Sequence, residues 1–153
     1  MSTYTTLPQQ TFPTTTAEIN LAELNAEWLV LYFYPKDSTP GCTTQAVGFS
    51  GLKQEFDALN AIVIGVSRDS VKAHQNFTSK QNLSIDLISD KEEVLCQYFD
   101  VIKQKNMYGK LVMGIERSTF IFHNGTLVKE YRKVKAAEHA EQVLEDLKAL
   151  QTA

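Results

Sequence analysis

The sequence predicts an α/β fold in which helices flank a central mixed β-sheet. Two apolar runs, 28–34 and 61–67, are rich in β-branched and aromatic residues, as expected of strands buried on both faces. A helical pattern lies between them, so the three segments form a strand–helix–strand unit with parallel strands. The dipeptide Asn124-Gly125 between two further apolar runs is a strong hairpin signal, which adds antiparallel strands to the sheet.

The other elements follow from capping residues and apolar spacing. The first helix begins after Thr39 and is predicted to continue to about Asn60, and Asp69 or Ser70 begins a helix that ends near Lys80. The remaining predictions are an N-terminal hairpin and helical turn within 1–27, a strand at 83–88, a short helix after Asp90, an irregular hairpin or loop at 103–114, strands at 118–122 and 127–131, and a closing amphipathic helix at about 140–150. This order is that of a thioredoxin-like fold, and residues 1–153 are interpreted as one domain.

Composition and charge exclude several classes of function. With 43% apolar and 22% charged residues, the chain is typical of a soluble protein, and its net charge of −3 offers no basic surface to nucleic acid or an anionic membrane. No apolar run reaches the roughly 18 residues of a membrane span and no signal-peptide pattern occurs, so we expect a cytoplasmic protein. Cys42 and Cys96 form no paired ligand spacing with the histidines, which argues against zinc.

Cys42 is the main candidate for chemistry because of its position at a helix start. Thr39 supplies an N-cap hydroxyl and Pro40 occupies the first helical position, which places Cys42 in the first turn. Unpaired amides and the helix dipole stabilise an anion there and so favour a thiolate. Cys42 also falls on the apolar stripe of the helix, so its sulfur should face the sheet, where a thiolate needs a fixed partner. The alternative is an inert buried thiol.

Two blocks of sequence carry a more specific pattern. In the first, 32–43, Pro35, Thr39 and Cys42 stand in the spacing P-x-x-x-T-x-x-C; in the second, 107–120, Arg117 precedes Ser-Thr-Phe. Together they resemble the peroxiredoxins, most closely the peroxiredoxin Q or bacterioferritin comigratory protein group. The similarity extends over about 28–147, and it implies a thioredoxin-like fold with peroxiredoxin-type insertions.

The resemblance implies a thiol peroxidase with four catalytic residues. The Cys42 thiolate would attack hydrogen peroxide or an organic hydroperoxide and become a sulfenic acid. Arg117 would stand beside the sulfur and bind the peroxide oxygens, Thr39 would hydrogen-bond the sulfur and the peroxide, and Pro35 would shape the pocket. No metal, haem, flavin or nucleotide cofactor is implied. The simpler alternatives are a plain N-cap for Thr39, a surface charge for Arg117 and a strand end for Pro35.

The location of a second thiol determines how the Cys42 sulfenic acid is reduced back to the thiol. Many relatives carry a resolving cysteine five residues after the first, whereas this chain has Val47, at an offset of about 140° around the helix from Cys42. Cys96 is interpreted first as an inert core residue, and a resolving role for it stays open. The sulfenic acid would therefore be reduced by an external thiol or through Cys96, with thioredoxin, glutaredoxin or a small thiol as the reductant.

Two other functions stay open at this stage. A thioredoxin-type disulfide carrier is one, although the chain lacks a C-x-x-C pair. The other is a non-catalytic binding or scaffold protein that kept the fold. This possibility stays open because Val47 stands where many relatives carry the resolving cysteine. The resemblance implies a monomer, with a dimer left open. His74, His123 and His139 are interpreted as surface or structural residues.

Overall fold

A computed structural model describes residues 5–24 and 26–152, apart from the side chain of Met107. Residues 1–4 of the predicted N-terminal segment lie outside this range. In chain order, the elements are β1 (Thr11–Pro13), β2 (Glu18–Asn20), a 3₁₀ turn (Leu21–Glu23), β3 (Trp28–Phe33), α1 (Pro40–Gly51), α2 (Lys53–Ala58), β4 (Ala61–Ser67), α3 (Val71–Gln81), β5 (Asp86–Ser89), α4 (Val94–Tyr98), β6 (Ile102–Met107), β7 (Lys110–Ile115), β8 (Ser118–His123), β9 (Thr126–Tyr131) and α5 (His139–Thr152).

A five-stranded mixed sheet in the order β5-β4-β3-β8-β9 forms the centre of the fold. The central strand β3 pairs in parallel with β4 and antiparallel with β8. Strand β5 extends the parallel side, and β9 extends the antiparallel side through the hairpin at Asn124-Gly125. Both turn residues have positive φ, 50° and 84°, as a type I′ hairpin turn requires. The predicted mixed sheet and thioredoxin-like order are confirmed.

The two faces of the sheet carry separate apolar clusters. Successive residues of β3 point to opposite faces, so Val30 and Tyr32 enter one cluster while Leu29 and Leu31 enter the other. Side chains of α1, α2, α3 and α5 complete the first cluster. Side chains of α4, the N-terminal segment and the base of the β6–β7 hairpin complete the second. The sheet therefore separates two distinct cores, and all six residues of β3 are buried.

Three element predictions differ from the structure. The helix predicted to reach Asn60 is interrupted at Leu52, whose φ and ψ of −102° and 10° leave the helical region, so that α1 and α2 are separate. The irregular segment predicted at 103–114 is a regular two-stranded hairpin, β6–β7. Strand β5 begins at Asp86 rather than at residue 83. Within the described ranges, the helices are too short or too polar to span a bilayer.

Candidate active site

Cys42 lies in the first turn of α1, as its sequence position predicts. The helix begins at Pro40, and the amide of Thr43 donates to the carbonyl oxygen of Thr39 at 2.8 Å. The Cys42 side chain points into the apolar cluster beside the sheet and is only 1% exposed. The thiol is thus shielded from bulk water and placed at the positive end of a helix.

Arg117 supplies the fixed cation that a shielded thiolate needs. It immediately precedes β8, and its Nη2 lies 3.5 Å from Cys42 Sγ. Its other terminal nitrogen, Nη1, donates to Gln45 Oε1 at 2.7 Å. Since Gln45 is fully buried one helical turn after Cys42, α1 holds both the sulfur and the group that orients the guanidinium.

Gly41 makes the close approach of Arg117 possible. A Cβ atom at this position would lie 3.1 Å from Arg117 Nη2, which is tighter than ordinary van der Waals contact. The missing side chain therefore leaves room for the guanidinium beside the first turn of α1. The neighbouring wall of this space is Ala136, in the loop before α5.

Thr39 is the N-cap residue by position, but its hydroxyl group makes a different bond from the two that sequence reasoning considered. Oγ1 donates to the carbonyl oxygen of Lys36 at 2.8 Å, and it caps no amide of α1. In the described part of the chain, the Thr39 hydroxyl also makes no hydrogen bond to the Cys42 sulfur. Thr39 thus closes the turn of 36–39, and its hydroxyl would have to rotate to donate a hydrogen bond to a peroxide.

Pro35 ends the chain segment that leaves the sheet. It follows Tyr34, whose amide donates to the carbonyl oxygen of Val66 at 3.1 Å and so extends the pairing of β3 with β4. Its own side chain is half-buried. Its position before the turn of 36–39 fits the implied role, which stays a prediction.

Sequence reasoning missed two side chains at this site. Gln45 is the first; its spacing of three residues from Cys42 was the available signal, but a lone glutamine on a helix carries little information. Lys105 of β6 is the second; its ammonium group donates to the carbonyl oxygen of Ile115, next to the Arg117 segment. Burial and the Arg117 charge lower the pKa of Lys105. A second cation therefore faces the same region.

Two of the three histidines, His74 and His139, are buried, so of the two interpretations, surface or structural, the structural one applies to them. His139 Nε2 lies 2.8 Å from Thr119 Oγ1, and burial together with the Arg117 charge lowers the pKa of His139 to about 4. It therefore tethers α5 to β8 as a neutral ring. His74 is fully buried under the loop before α1. His123 is partly exposed and stacks on Trp28 at 4.0 Å between ring centroids.

The other thiol, Cys96, belongs to the opposite core. It is fully buried in the cluster that contains Leu29 and Leu31, whereas Cys42 lies in the cluster that contains Val30 and Tyr32. Its amide and its thiol both bond the carboxylate of Asp90, and burial followed by the Asp90 charge raises the pKa of Cys96. These contacts make Cys96 a structural hydrogen-bond donor.

The position of Val47 agrees with the predicted offset from Cys42. Its side chain is 44% exposed, whereas Cys42 is 1% exposed. A thiol at position 47 would thus lie on the outer side of α1.

Comparison with known proteins places this geometry in a family. The AhpC/TSA family model matches residues 5–131. The chain is 60% identical to Peroxiredoxin Bcp of Xanthomonas campestris over 123 residues, which cover 80% of this chain and 77% of that protein. It is a peroxiredoxin of the Bcp or Q type. Peroxiredoxin Bcp of Bacillus subtilis is 47% identical over 131 residues, covering 85% of this peroxiredoxin and 83% of the relative.

Solved structures agree with this assignment. Xanthomonas campestris Peroxiredoxin Q superimposes with a TM-score of 0.88 at 52% identity, over 94% of each chain. A further structure of the Xanthomonas protein, the bacterioferritin comigratory protein, is described as giving insight into its alkyl peroxide reduction activity; it has a TM-score of 0.88 at 51% identity over 94% of this chain and 95% of that one. This peroxiredoxin is accordingly an enzyme, a thiol-dependent peroxidase.

Proposed function

We propose that Cys42 is the peroxidatic residue, which attacks hydrogen peroxide or an organic hydroperoxide. The thiolate attacks the terminal peroxide oxygen, an S–O bond forms and the O–O bond breaks. The leaving oxygen takes a proton and departs as water or an alcohol, and Cys42 becomes a sulfenic acid. The observation that carries this proposal is the 3.5 Å contact between Cys42 Sγ and Arg117 Nη2 at a helix start.

Arg117 and the amides of the first turn supply the charge stabilisation for this step. The guanidinium is held by Gln45, so it needs little reorganisation when negative charge develops on the leaving oxygen. Thr39 and Pro35 lie in the loop that connects β3 to α1, and we propose that they orient the peroxide and shape its pocket. The chemistry needs no metal, haem, flavin or nucleotide group.

We further propose that an external thiol reduces the sulfenic acid. One thiol of the reductant attacks the sulfur and releases water, and a second thiol then displaces Cys42 from the mixed disulfide. Thioredoxin, glutaredoxin or a small dithiol fits this requirement. The position of Cys96 across the sheet from Cys42 disfavours an internal disulfide, and it removes support from the disulfide-carrier alternative, which needs two neighbouring thiols. Action as a monomer in the cytoplasm, without nucleic acid or membrane partners, stays a prediction.

The test compares Cys42→Ser with Cys96→Ser, a matched control because serine keeps a donor for Asp90. After one equivalent of hydrogen peroxide, intact-mass measurement should show one added oxygen in the wild type and in Cys96→Ser, and none in Cys42→Ser. Under steady-state conditions with dithiothreitol, Cys96→Ser should consume peroxide at the wild-type rate. Peroxide consumption by Cys42→Ser at the wild-type rate would refute the assignment, and a Cys42–Cys96 disulfide in the wild type would refute external reduction.

A further inference from the structure

A buried polar network lies beneath the loop that connects β3 to α1. Asp37 of this loop is buried, and its Oδ1 accepts from the hydroxyl group of Tyr34 at 2.6 Å. Its Oδ2 lies 2.6 Å from Nδ1 of His74 on α3. The His74 ring is fully buried, and its Nε2 lies 2.9 Å from the carbonyl oxygen of Ile88. The network therefore joins the loop before Cys42 to α3 and β5.

The partners of His74 determine its hydrogen bonds. A backbone carbonyl only accepts, so Nε2 donates to Ile88, while Nδ1 and Asp37 Oδ2 share one proton in a short hydrogen bond. Burial is the main cause that raises the pKa of Tyr34, whose hydroxyl therefore stays protonated and donates to Asp37. Asp37 thus makes two short hydrogen bonds, one with the Tyr34 hydroxyl and one with the His74 ring.

The backbone of the same loop is tied down separately. The amide of Asp37 donates to Asp69 Oδ2 at 2.9 Å, and the same oxygen accepts from Ser67 Oγ at 2.6 Å. The next residue, Ser38, has a φ of 63°, which a residue other than glycine adopts only at a cost. The loop is thus held in a strained conformation by bonds to α3 and to the end of β4.

The same cluster does not favour a metal ion. One ligand atom each from Asp37, Asp69 and His74 lies within 4.8 Å of the others. However, His74 Nδ1 and Asp37 Oδ2 already bond each other, and Asp69 Oδ2 already accepts from two donors. An ion would have to displace a proton and break these bonds.

The buried Cys42 sulfur places opposite requirements on the two half-reactions, oxidation by a peroxide and reduction by a thiol. A peroxide is small and reacts with Cys42 beside Arg117, so it needs the closed loop. A reducing thiol has to reach a sulfur that is only 1% exposed, which requires the first turn of α1 to move. We propose that the Asp37–His74 pair is a latch that holds this loop closed, so that its strength favours peroxide reduction and opposes access of the reductant. This inference rests on the proposed role of Cys42.

Two substitutions of His74 separate the latch from general packing. The amide nitrogen of asparagine can replace Nδ1, so His74→Asn keeps a donor for Asp37 and loses the donor to Ile88. The longer glutamine replaces Nε2, so His74→Gln keeps the donor to Ile88 and loses the bond to Asp37. Each variant leaves one acceptor without its partner, and His74→Asn is the matched control.

The experiment measures the two half-reactions separately in a Cys96→Ser background. In His74→Gln, we expect dithiothreitol to reduce the Cys42 sulfenic acid roughly tenfold faster, with N-ethylmaleimide alkylating the reduced thiol faster by a similar factor, and oxidation by hydrogen peroxide to become slower. In His74→Asn, all three rates should stay within about threefold of the wild type. Opposite changes in the two half-reactions are the signature of a latch, because a loss of packing alone would slow both or affect the two variants equally.

Several results would overturn the proposal: equal effects of the two variants, slowing of both half-reactions in His74→Gln, or no effect in either. Should His74→Gln fail to fold, Asp37→Asn tests the charge of the same pair, and it should also speed reduction and slow oxidation. In the wild type, NMR should show the proton between His74 Nδ1 and Asp37 in slow exchange with water, and rapid exchange of this proton would contradict the latch. A wild type whose Cys42 gains no oxygen from peroxide would refute the proposed function itself.

Discussion

At the scale of single residues, Gln45 is the least conspicuous part of the site and one of the most informative. Its Oε1 accepts from Arg117, while its Nε2 has no hydrogen-bond partner among the described residues. A fully buried polar group is kept only where its contacts offset the cost of desolvation. The bond that orients the guanidinium toward Cys42 provides this compensation.

We expect Gln45→Leu to lower the second-order rate of peroxide reduction roughly tenfold, because a hydrogen bond to a charged group contributes about 1.5–3 kcal/mol. Gln45→Glu keeps an acceptor for Arg117 but adds a negative charge beside the Cys42 thiolate, so it should also lower this rate. Stopped-flow measurement of Cys42 oxidation gives both rates. Equal activity of Gln45→Leu and the wild type would show that Arg117 needs no such partner.

At the scale of elements, the start of α1 leaves space for the side chain of Arg117, which lies in the segment before β8. Gly41 leaves the space that Arg117 Nη2 occupies, whereas Gly51, at the other end of the same helix, has open space where a Cβ would lie. The two glycines thus differ in function although they share one helix. Helix propensity alone would favour alanine at both positions.

This difference predicts opposite outcomes for one kind of substitution. Gly41→Ala should displace Arg117 and lower the rate of peroxide reduction roughly tenfold, as misplacement of a reacting group does. Gly51→Ala should leave that rate unchanged and raise the free energy of unfolding by about 0.5 kcal/mol. Chemical denaturation and stopped-flow kinetics on both variants provide the measurement. An unchanged rate in Gly41→Ala would contradict this prediction, because it would show that Arg117 tolerates a methyl group at position 41.

Elements also differ in how far sequence predicts them. The strands β3 and β4 were predicted within one residue, because an unbroken apolar run buried on both faces has few other interpretations. The break at Leu52 could not be predicted, since apolar spacing continues through it into α2. The regularity of the β6–β7 hairpin was not predicted, because apolar residues such as Leu111 and Met113 are exposed and only the base of the hairpin enters the core, so its sequence shows no alternation of buried and exposed positions.

At the scale of the whole molecule, the tertiary contacts of the site were the hardest to predict. The resemblance to the peroxiredoxins implied that Arg117 stands beside Cys42, and the two side chains are in contact although 75 residues separate them. The bond between Asp37 and His74 joins residues 37 apart and follows no local pattern. The hydroxyl bond of Thr39 to Lys36 depends on the turn conformation, which spacing does not determine. Sequence thus predicted the contact between the two proposed reacting groups, but not the side chains that hold them in place.

The buried histidine between α5 and β8 predicts a dependence of stability on pH. The pKa of His139 is lowered from 6.5 to about 4, so the unfolded chain binds a proton first as the pH falls. His139 therefore stabilises the fold fully above pH 6.5 and loses about 3 kcal/mol of that contribution between pH 6.5 and 4. His139→Gln keeps a polar partner for Thr119 and should lack this loss. Urea unfolding at pH 7 and pH 4.5 tests this, and parallel profiles would contradict it.

The location of the two thiols on opposite sides of the sheet has a consequence for the life of the enzyme under stress. In the proposed cycle no internal disulfide traps the Cys42 sulfenic acid, so its lifetime depends on the supply of external thiols. When that supply fails, a second peroxide molecule can convert it to a sulfinic acid, which ordinary thiols do not reverse. Sustained exposure to oxidant should then inactivate the protein in proportion to the number of turnovers that go unrescued.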